Sequence, residues 1–138
     1  MTVRDIARTD VAAVAPGTPI EEVAETLRTE GVGSVVVAED DEPVGIVTDR
    51  DVGIGIWDHD DPAAVTAADL MATDPVTVGI DEGIYDALQR AREANVRRLP
   101  VVEDGRLVGI VTLDDFVVLL AGELQVVSDV IQAESPAY

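Results

Sequence analysis

The feature that most constrains this chain is a stretch that occurs twice. Residues 44–51 read Val-Gly-Ile-Val-Thr-Asp-Arg-Asp, and residues 108–115, which lie 64 positions later, read Val-Gly-Ile-Val-Thr-Leu-Asp-Asp. The same offset, held without a gap, aligns further identical residues, among them Asp5 with Asp69, Asp10 with Asp74 and Val32 with Val96. An ungapped match of this length indicates internal duplication. Two copies favour a closed pseudo-symmetric pair, in which each half covers a face that the other cannot bury alone.

Each copy is predicted to carry a helix ahead of the repeated stretch. In the first copy Thr18 would be the N-cap, Pro19 the first helical residue and Glu21 the partner in a capping box, and Gly31 would end the helix. In the second copy the same positions are taken by Asp81 or Glu82 as cap and Asn95 as stop. The predicted buried faces are Ile20, Val23, Ala24 and Leu27, and Ile84, Ala87, Leu88 and Ala91.

Two short apolar strands follow each of these helices, and a third precedes the first helix. The strands are predicted at residues 11–14, 34–38 and 44–47, and at 99–102 and 107–111 in the second copy. Tight turns at residues 39–43 and 103–106 would join them, the second with the Asp-Gly pair that hairpins favour. The repeated Thr-x-x-Asp then begins another helix. Each half is therefore strand, helix, strand, strand, helix.

This pattern predicts the domain limits. We expect repeat 1 at residues 1–56, a linker at 57–66, repeat 2 at 67–121, and a C-terminal helix and tail at 122–138. The long amphipathic helix that starts near Phe116 is too hydrophobic to stay exposed, so it is expected to pack on the pair or on another subunit. Ser135-Pro136 would end it.

Charge excludes one large class of partners. The chain has 28 acidic residues against nine basic ones, all arginine, for a net charge of -19. Nucleic acid is not an expected partner, because phosphate backbones need clustered Lys and Arg. The acidic surface without lysine resembles proteins of salt-loving archaea, in which concentrated salt screens the self-repulsion.

Composition also bears on location and chemistry. No apolar run approaches a bilayer span and no leader opens the chain, so we expect a soluble cytoplasmic protein without membrane contact. One His and no Cys leave no catalytic constellation, so an enzyme is not expected. The acidic cluster around His59 is read as a solvated turn rather than a cation site, and no metal site is predicted.

The ordered set of motifs resembles a tandem pair of CBS domains, the Bateman module. Besides the two Gly-Ile-Val-Thr-x-x-Asp ends, the resemblance rests on Asp69-Leu70-Met71 and on residues 97–102, Arg-Arg-Leu-Pro-Val-Val. The first copy is less complete, because residues 33–36 read Gly-Ser-Val-Val. The resemblance implies an α/β (α+β) fold of two β-α-β-β-α repeats packed sheet to sheet. It also implies binding of adenine nucleotides or related adenosyl compounds between the repeats.

By the family pattern two composite clefts are expected. The main cleft would combine Arg97, Arg98, Thr112 and Asp115 with Asp10, Val11, Ala12 and Val32. Asp115 would accept the ribose hydroxyls. Thr112 and the N-terminus of the following helix would meet a phosphate, the two arginines would neutralise its remaining charge, and the Val and Ala residues would lie against adenine.

The second cleft would combine Thr48, Asp51, Asp74, Pro75, Val76 and Val96. Gly33 and Ser34 stand where the main cleft has its arginine pair, so the two sites are predicted to be unequal. The alternatives are structural: Thr-x-x-Asp is also an ordinary capping box, Asp10 and Asp74 also suit turns, and Arg97 or Arg98 also suits an ion pair with Glu93 or Asp104.

The favoured function is a stand-alone regulatory module. It would sense AMP, ADP or ATP, with S-adenosylmethionine as another possible ligand and the need for Mg²⁺ left open, and would signal as a homodimer to an unknown protein target. The alternative is an oligomerisation scaffold with vestigial clefts. A third reading is a subunit that supplies an allosteric site to an enzyme in trans.

Overall fold

The duplication is visible element by element. A computed structural model of the chain describes residues 1–135. Repeat 1 contains β1 (Ala13–Val14), α1 (Ile20–Glu30), β2 (Ser34–Glu39), β3 (Glu42–Thr48) and α2 (Asp49–Asp58). Repeat 2 contains α3 (Ala67–Leu70), β4 (Ala72–Thr73), β5 (Val78–Gly79), α4 (Ile84–Ala94), β6 (Arg98–Glu103), β7 (Arg106–Thr112) and α5 (Leu113–Glu134). Short 3₁₀ turns cover Val3–Asp5 and Pro62–Ala64.

Each repeat is built on an antiparallel hairpin, β2 with β3 and β6 with β7. Asp40 and Asp41 turn the first hairpin with φ of 50° and 64°, and Asp104 and Gly105 turn the second with φ of 52° and 79°. Two successive left-handed residues match the twist of the flanking strands. β1 and β5 add in parallel to β2 and β6. The predicted strand order and both tight turns are confirmed.

The segments that open the two repeats are exchanged between them. We call residues 1–12 and 65–76 the first and second lead-ins. β4 of the second lead-in pairs with β3 of repeat 1, and in the equivalent place Arg8 of the first lead-in bridges Ile110 of β7. Val3 lies in the core of repeat 2, whereas Val65 lies in the core of repeat 1. Neither repeat therefore completes its core without the other.

The cores are aliphatic apart from Phe116, because the chain has only one Phe, one Trp and two Tyr. Each is formed by the hairpin and the inner faces of the flanking helices, and β3 of one sheet contacts β7 of the other. The buried residues include Ile20, Val23, Leu27, Val35, Val37 and Val47 in repeat 1, and Ala87, Ala91, Leu99, Val101, Val111 and Phe116 in repeat 2. The predicted helix faces and the two-repeat α+β fold are confirmed.

The predicted start of α1 is wrong. Pro19 is the N-cap, with extended φ and ψ of -61° and 151°, and no side chain caps the helix. The cause is tertiary pairing with the second lead-in. The N–H of Ile20 donates to the carbonyl of Val65 at 2.9 Å, and the N–H of Ala67 donates to the carbonyl of Thr18 at 2.8 Å. These bonds hold Pro19 extended, so the helix begins later.

The predicted cap of α4 is wrong for a similar reason. Gly83 is the N-cap, and no side-chain hydrogen bond caps the helix. The side chain of Asp81 pairs with Arg4 at 3.1 Å, and that of Glu82 accepts from the backbone N–H of Gly79 and from Arg90. The two helix stops are confirmed, because Gly31 and Asn95 are left-handed with φ of 65° and 54°.

α5 departs most from expectation. It runs without a break across residue 121, so the division of the chain at that point stays a prediction. Phe116 is buried in repeat 2 and Leu119 is half-buried, but most of the helix is exposed. Its exposed large apolar residues are Leu113, Val117, Val118, Leu120, Leu124, Val126, Val127, Val130 and Ile131. Ser135 caps the end, and Pro136 lies outside the described residues.

By length and composition alone α5 is able to cross a membrane. Its most apolar 18-residue window has a mean hydropathy of 1.6 and is 6% buried. Glu123 and Asp129 lie within the helix, however, and Phe116 in its first turn packs into the core of repeat 2. A span that began after Phe116 would place both carboxylates at membrane depth, where ionised groups are costly.

Candidate ligand site

A cavity of about 770 Å³ opens between the two repeats, and we call it the central cavity. Its walls are residues 7–12 of the first lead-in, residues 30–34 from the end of α1 to the start of β2, residues 97–98, and residues 110 and 112–114 at the junction of β7 and α5. This volume lies within the range of about 300–1,000 Å³ typical of small-molecule sites. The exchange of the lead-ins creates it, since repeat 1 supplies one wall and repeat 2 the other.

The central cavity brings most of the predicted main cleft together. Seven of the eight residues predicted for the main cleft line it: Asp10, Val11, Ala12, Val32, Arg97, Arg98 and Thr112. Asp115 does not line it and lies beside its wall. The residues come from four separate parts of the sequence, so only the tertiary fold assembles them.

Asp115 already has partners on both carboxylate oxygens. Thr112 donates its N–H at 2.8 Å and its hydroxyl at 3.1 Å to Oδ2, which is the capping arrangement. Arg8 donates its Nε–H to Oδ1 at 3.1 Å. The side chain of Asp115 is only 10% exposed and that of Arg8 is 66% exposed. Oδ2 already accepts two bonds and Oδ1 one, so a ribose hydroxyl would bond to Oδ1, beside Arg8 or in its place.

The central cavity is balanced in charge, unlike the rest of the molecule. Arg8, Arg97 and Arg98 are three of the nine arginines of the chain, and the acidic lining residues are also three: Asp10, Glu30 and Asp114. In a chain of net charge -19, this concentration of arginine makes the cavity far more favourable to an anion than the remaining surface.

Arg97 and Arg98 are not held by carboxylates. Within residues 1–135 neither forms an ion pair, so the predicted alternative of pairing with Glu93 or Asp104 is not observed. Both line the cavity, although adjacent strand residues point to opposite faces, because β6 begins at Arg98 and Arg97 precedes it. A Cβ built on Gly33 would lie 3.5 Å from Nη2 of Arg98, so the guanidinium lies within contact distance of this position.

The predicted second cleft is less developed. Thr48 and Asp51 form the same capping box, with Thr48 N–H donating at 2.8 Å to the carboxylate and Asp51 N–H at 3.2 Å to the hydroxyl. None of its predicted residues lines the central cavity. These residues are Thr48, Asp51, Asp74, Pro75, Val76 and Val96. Asp74 is left-handed with φ of 52°, which fits its alternative role in a turn.

Sequence reasoning missed Arg8, Glu30 and Asp114 in the cavity wall. The signal for Arg8 was available in the 64-residue alignment, which places it opposite Ala72.

The acidic cluster around His59 fits a solvated turn. The ring Nδ1 of His59 lies 2.9 Å from the carbonyl oxygen of Gly55 at the end of α2. Within residues 1–135 no group of three or more His, Cys, Asp and Glu side chains is placed to hold a metal ion.

Comparison with known proteins identifies a family that matches this chain. The family model described as CBS domain matches residues 3–52 and 67–122. The uncharacterized protein MK0525 of Methanopyrus kandleri is 39% identical over 118 residues, which are 83% of this chain and 60% of that protein. This chain therefore corresponds to somewhat more than half of that relative.

Two solved structures have the same fold over nearly their whole length. The CBS domain pair of protein MJ0100, in complex with 5′-methylthioadenosine and S-adenosyl-L-methionine, has a TM-score of 0.79 and 25% identity, covering 89% of this chain and 98% of that one. Hypoxic Response Protein I, with two coordinated zinc ions, has a TM-score of 0.76 and 34% identity, covering 85% and 97%.

Proposed function

This chain belongs to the CBS-domain family, and we propose that it is a regulatory module that binds an adenosyl ligand in the central cavity. The observation that carries the proposal is the arginine-rich cavity beside the Thr-x-x-Asp helix start of α5. The bound 5′-methylthioadenosine and S-adenosyl-L-methionine of the MJ0100 pair support the adenosyl class.

The cavity residues favour an adenine nucleotide within that class. Within residues 1–135 the guanidinium groups of Arg97 and Arg98 have no carboxylate partner, and such groups suit phosphate oxygens. The N-terminus of α5 adds backbone N–H groups and a positive dipole end, in the manner of other phosphate sites. Val11, Ala12 and Val32 supply the apolar wall for a base. AMP, ADP and ATP are the proposed ligands, and S-adenosylmethionine is the competing one.

We propose unequal sites, with the central cavity as the stronger. The second cleft has Gly33 and Ser34 at the positions of Arg97 and Arg98, so it lacks that arginine pair. A less phosphorylated ligand suits it better. Since no catalytic constellation accompanies either cleft, the output is a change in the relation of the two repeats that a partner protein reads.

The test is calorimetric titration of AMP, ATP and S-adenosylmethionine into the protein at molar salt. Asp115→Ala and Asp51→Ala are a matched pair, because each removes the carboxylate of an equivalent capping box. We expect Asp115→Ala to abolish the stronger AMP binding and Asp51→Ala to retain it. Absence of heat with all three ligands, and of released nucleotide on denaturation, would overturn the proposal.

The exposed face of α5 favours a second function, assembly with another copy of the chain. Apolar residues spaced alternately four and three apart form one stripe: Leu113, Val117, Leu120, Leu124, Val127 and Ile131. This is the spacing of a coiled-coil seam, and a seam is self-complementary in a two-fold dimer. The sequence has no Lys or Arg after Arg106 in β7, so α5 carries no basic residue and an anionic membrane surface is a poor partner for it.

The dimer proposal is tested by sedimentation equilibrium. Leu124→Gln lies on the seam and Val126→Gln lies off it, and both residues are more than half exposed, at 70% and 60%. We expect only Leu124→Gln to yield monomer. A monomeric wild-type protein would refute the dimer, whereas a dimer that binds no nucleotide would favour the scaffold over the sensor.

We propose a need for salt from the charge of the chain alone. The relatives come from diverse archaea and bacteria, so their sources do not indicate a salt-loving protein. A net charge of -19 on 138 residues produces strong self-repulsion, which dissolved ions screen. Circular dichroism should show a melting temperature that rises with NaCl from about 0.1 M to 2 M. An unchanged melting temperature across that range would refute the proposal.

A further inference from the structure

The bond between Arg8 and Asp115 joins residues 107 positions apart at the edge of the central cavity. Asp115 is a nearly buried carboxylate, and Arg8 Nε at 3.1 Å is its only cationic partner within residues 1–135. Most of the arginine side chain is exposed and lines the cavity. The guanidinium therefore neutralises Asp115 while remaining accessible to a ligand.

The backbone of Arg8 is fixed although its side chain is not enclosed. Its N–H donates to the carbonyl of Ile110, and its carbonyl accepts from the N–H of Ile110, both at 2.9 Å. A Cβ on Gly109 would lie 3.0 Å from that same carbonyl oxygen, so the lead-in is seated closely on β7. The side chain can change partner by rotation about its own bonds, without displacement of the lead-in.

We infer that Arg8 is a displaceable counter-ion that makes the central cavity select phosphorylated ribonucleotides over uncharged nucleosides. This inference rests on the proposed function. A ribose that takes the position of Arg8 on Oδ1 of Asp115 releases the guanidinium. A phosphate on the same ligand gives the released guanidinium a new anionic partner. An uncharged nucleoside displaces Arg8 and offers it nothing in return.

The second cleft supplies the internal contrast. Ala72 occupies the position equivalent to Arg8, so no side chain of that residue can neutralise Asp51. Oδ2 of Asp51 accepts the N–H of Thr48, and no cation lies within ion-pairing distance of Asp51 in the described part of the chain. An uncharged ribose would meet no competing guanidinium there.

The experiment compares AMP with adenosine by calorimetry in the wild-type protein, Arg8→Gln and Arg4→Gln. Arg4 is the matched control, because it also lies in the first lead-in and pairs with Asp81 and Glu103, but it does not line the cavity. We expect Arg8→Gln to weaken AMP binding about 10- to 100-fold, the range for a lost charge-assisted bond, and to leave adenosine binding equal or tighter. Arg8→Lys should restore part of the preference for AMP.

The possible outcomes distinguish a failure of this inference from a failure of the proposed function. If the wild-type protein binds neither AMP nor adenosine, the proposed function fails and Arg8 selects nothing. If it binds AMP and the ratio of AMP to adenosine affinity is the same in Arg8→Gln, only the inference fails. An equal loss for both ligands would show that Arg8 supports the cavity wall without selecting its ligand, which also overturns the inference.

Discussion

The central cavity and the second cleft start from the same duplicated residues and end with different chemistry. Both have a Thr-x-x-Asp capping box at the junction of a hairpin and a helix. In the central cavity Arg8 bonds to Asp115, and Arg97 and Arg98 line the wall. In the second cleft Ala72 stands in place of Arg8.

This difference separates what the fold needs from what a ligand needs. The capping carboxylates are kept in both copies because each bonds to a backbone N–H at the start of a helix, whichever ligand is present. The arginines differ between the copies because no backbone group depends on them. The shared Thr-x-x-Asp therefore caps a helix in both repeats, and the charged residues around it distinguish the sites.

The largest effect is expected where the two lead-ins are seated. A Cβ on Gly45 would lie 2.5 Å from Sδ and 2.8 Å from Cβ of Met71, whereas one on Gly109 would lie 3.0 Å from the carbonyl oxygen of Arg8. Gly45→Ala should therefore destabilise the protein by about 1–3 kcal/mol, and Gly109→Ala by less. Urea unfolding measures both.

Gly53→Ala is the control for these variants. Gly53 lies in α2 and a Cβ there would meet nothing within 4 Å. Alanine favours a helix over glycine, so this variant should be as stable as the wild-type protein or more so. Equal stability in all three variants would show that the lead-ins are not closely seated.

The capping boxes allow a finer comparison. Thr48→Ala and Thr112→Ala should each lower the free energy of unfolding by about 1 kcal/mol, since each removes a helix cap. Thermal unfolding with AMP then distinguishes them. Thr112→Ala should lose much of the ligand-induced shift, and Thr48→Ala should keep it. A shift retained by Thr112→Ala would make the second cleft the stronger site.

The smallest effect concerns the second lead-in. The N–H of Thr66 donates to Asp69 and, with the Thr66 hydroxyl, holds the pKa of that carboxyl below its ordinary value of 3.8. A depressed folded-state pKa stabilises the fold above the unfolded value, and this stabilisation is lost as pH falls through the folded value. Asp69→Asn should slightly lower the melting temperature at pH 7 and have less effect near pH 2. An equal effect at both pH values would contradict the role of the charge.

Local chemistry explains which elements were predictable. Gly31 and Asn95 end their helices, and Asp104-Gly105 turns a hairpin, because the left-handed conformation at these positions selects such residues whatever surrounds them. The buried faces of α1 and α4 followed from helical spacing. The start of α1 did not, because a bond from Ile20 to Val65 holds the preceding residues extended and overrides a good capping pattern.

The site was predictable only in part. The family pattern supplied Arg97, Arg98, Thr112 and the apolar wall, all of which line the central cavity. It did not supply Arg8, whose role depends on a partner far away in the chain. It also offered Asp115 as an open ribose contact, whereas both of its carboxylate oxygens already accept hydrogen bonds.

By itself the sequence determined the duplication, the order of strands and helices, the turns and the aliphatic cores, because these depend on neighbouring residues and on spacing. The tertiary structure alone decided the exchange of the lead-ins, the meeting of Arg8 with Asp115 and the exposure of α5. These features join or separate residues far apart in the chain. Which distant surfaces meet is decided by the packing of the whole molecule, and no local pattern encodes it.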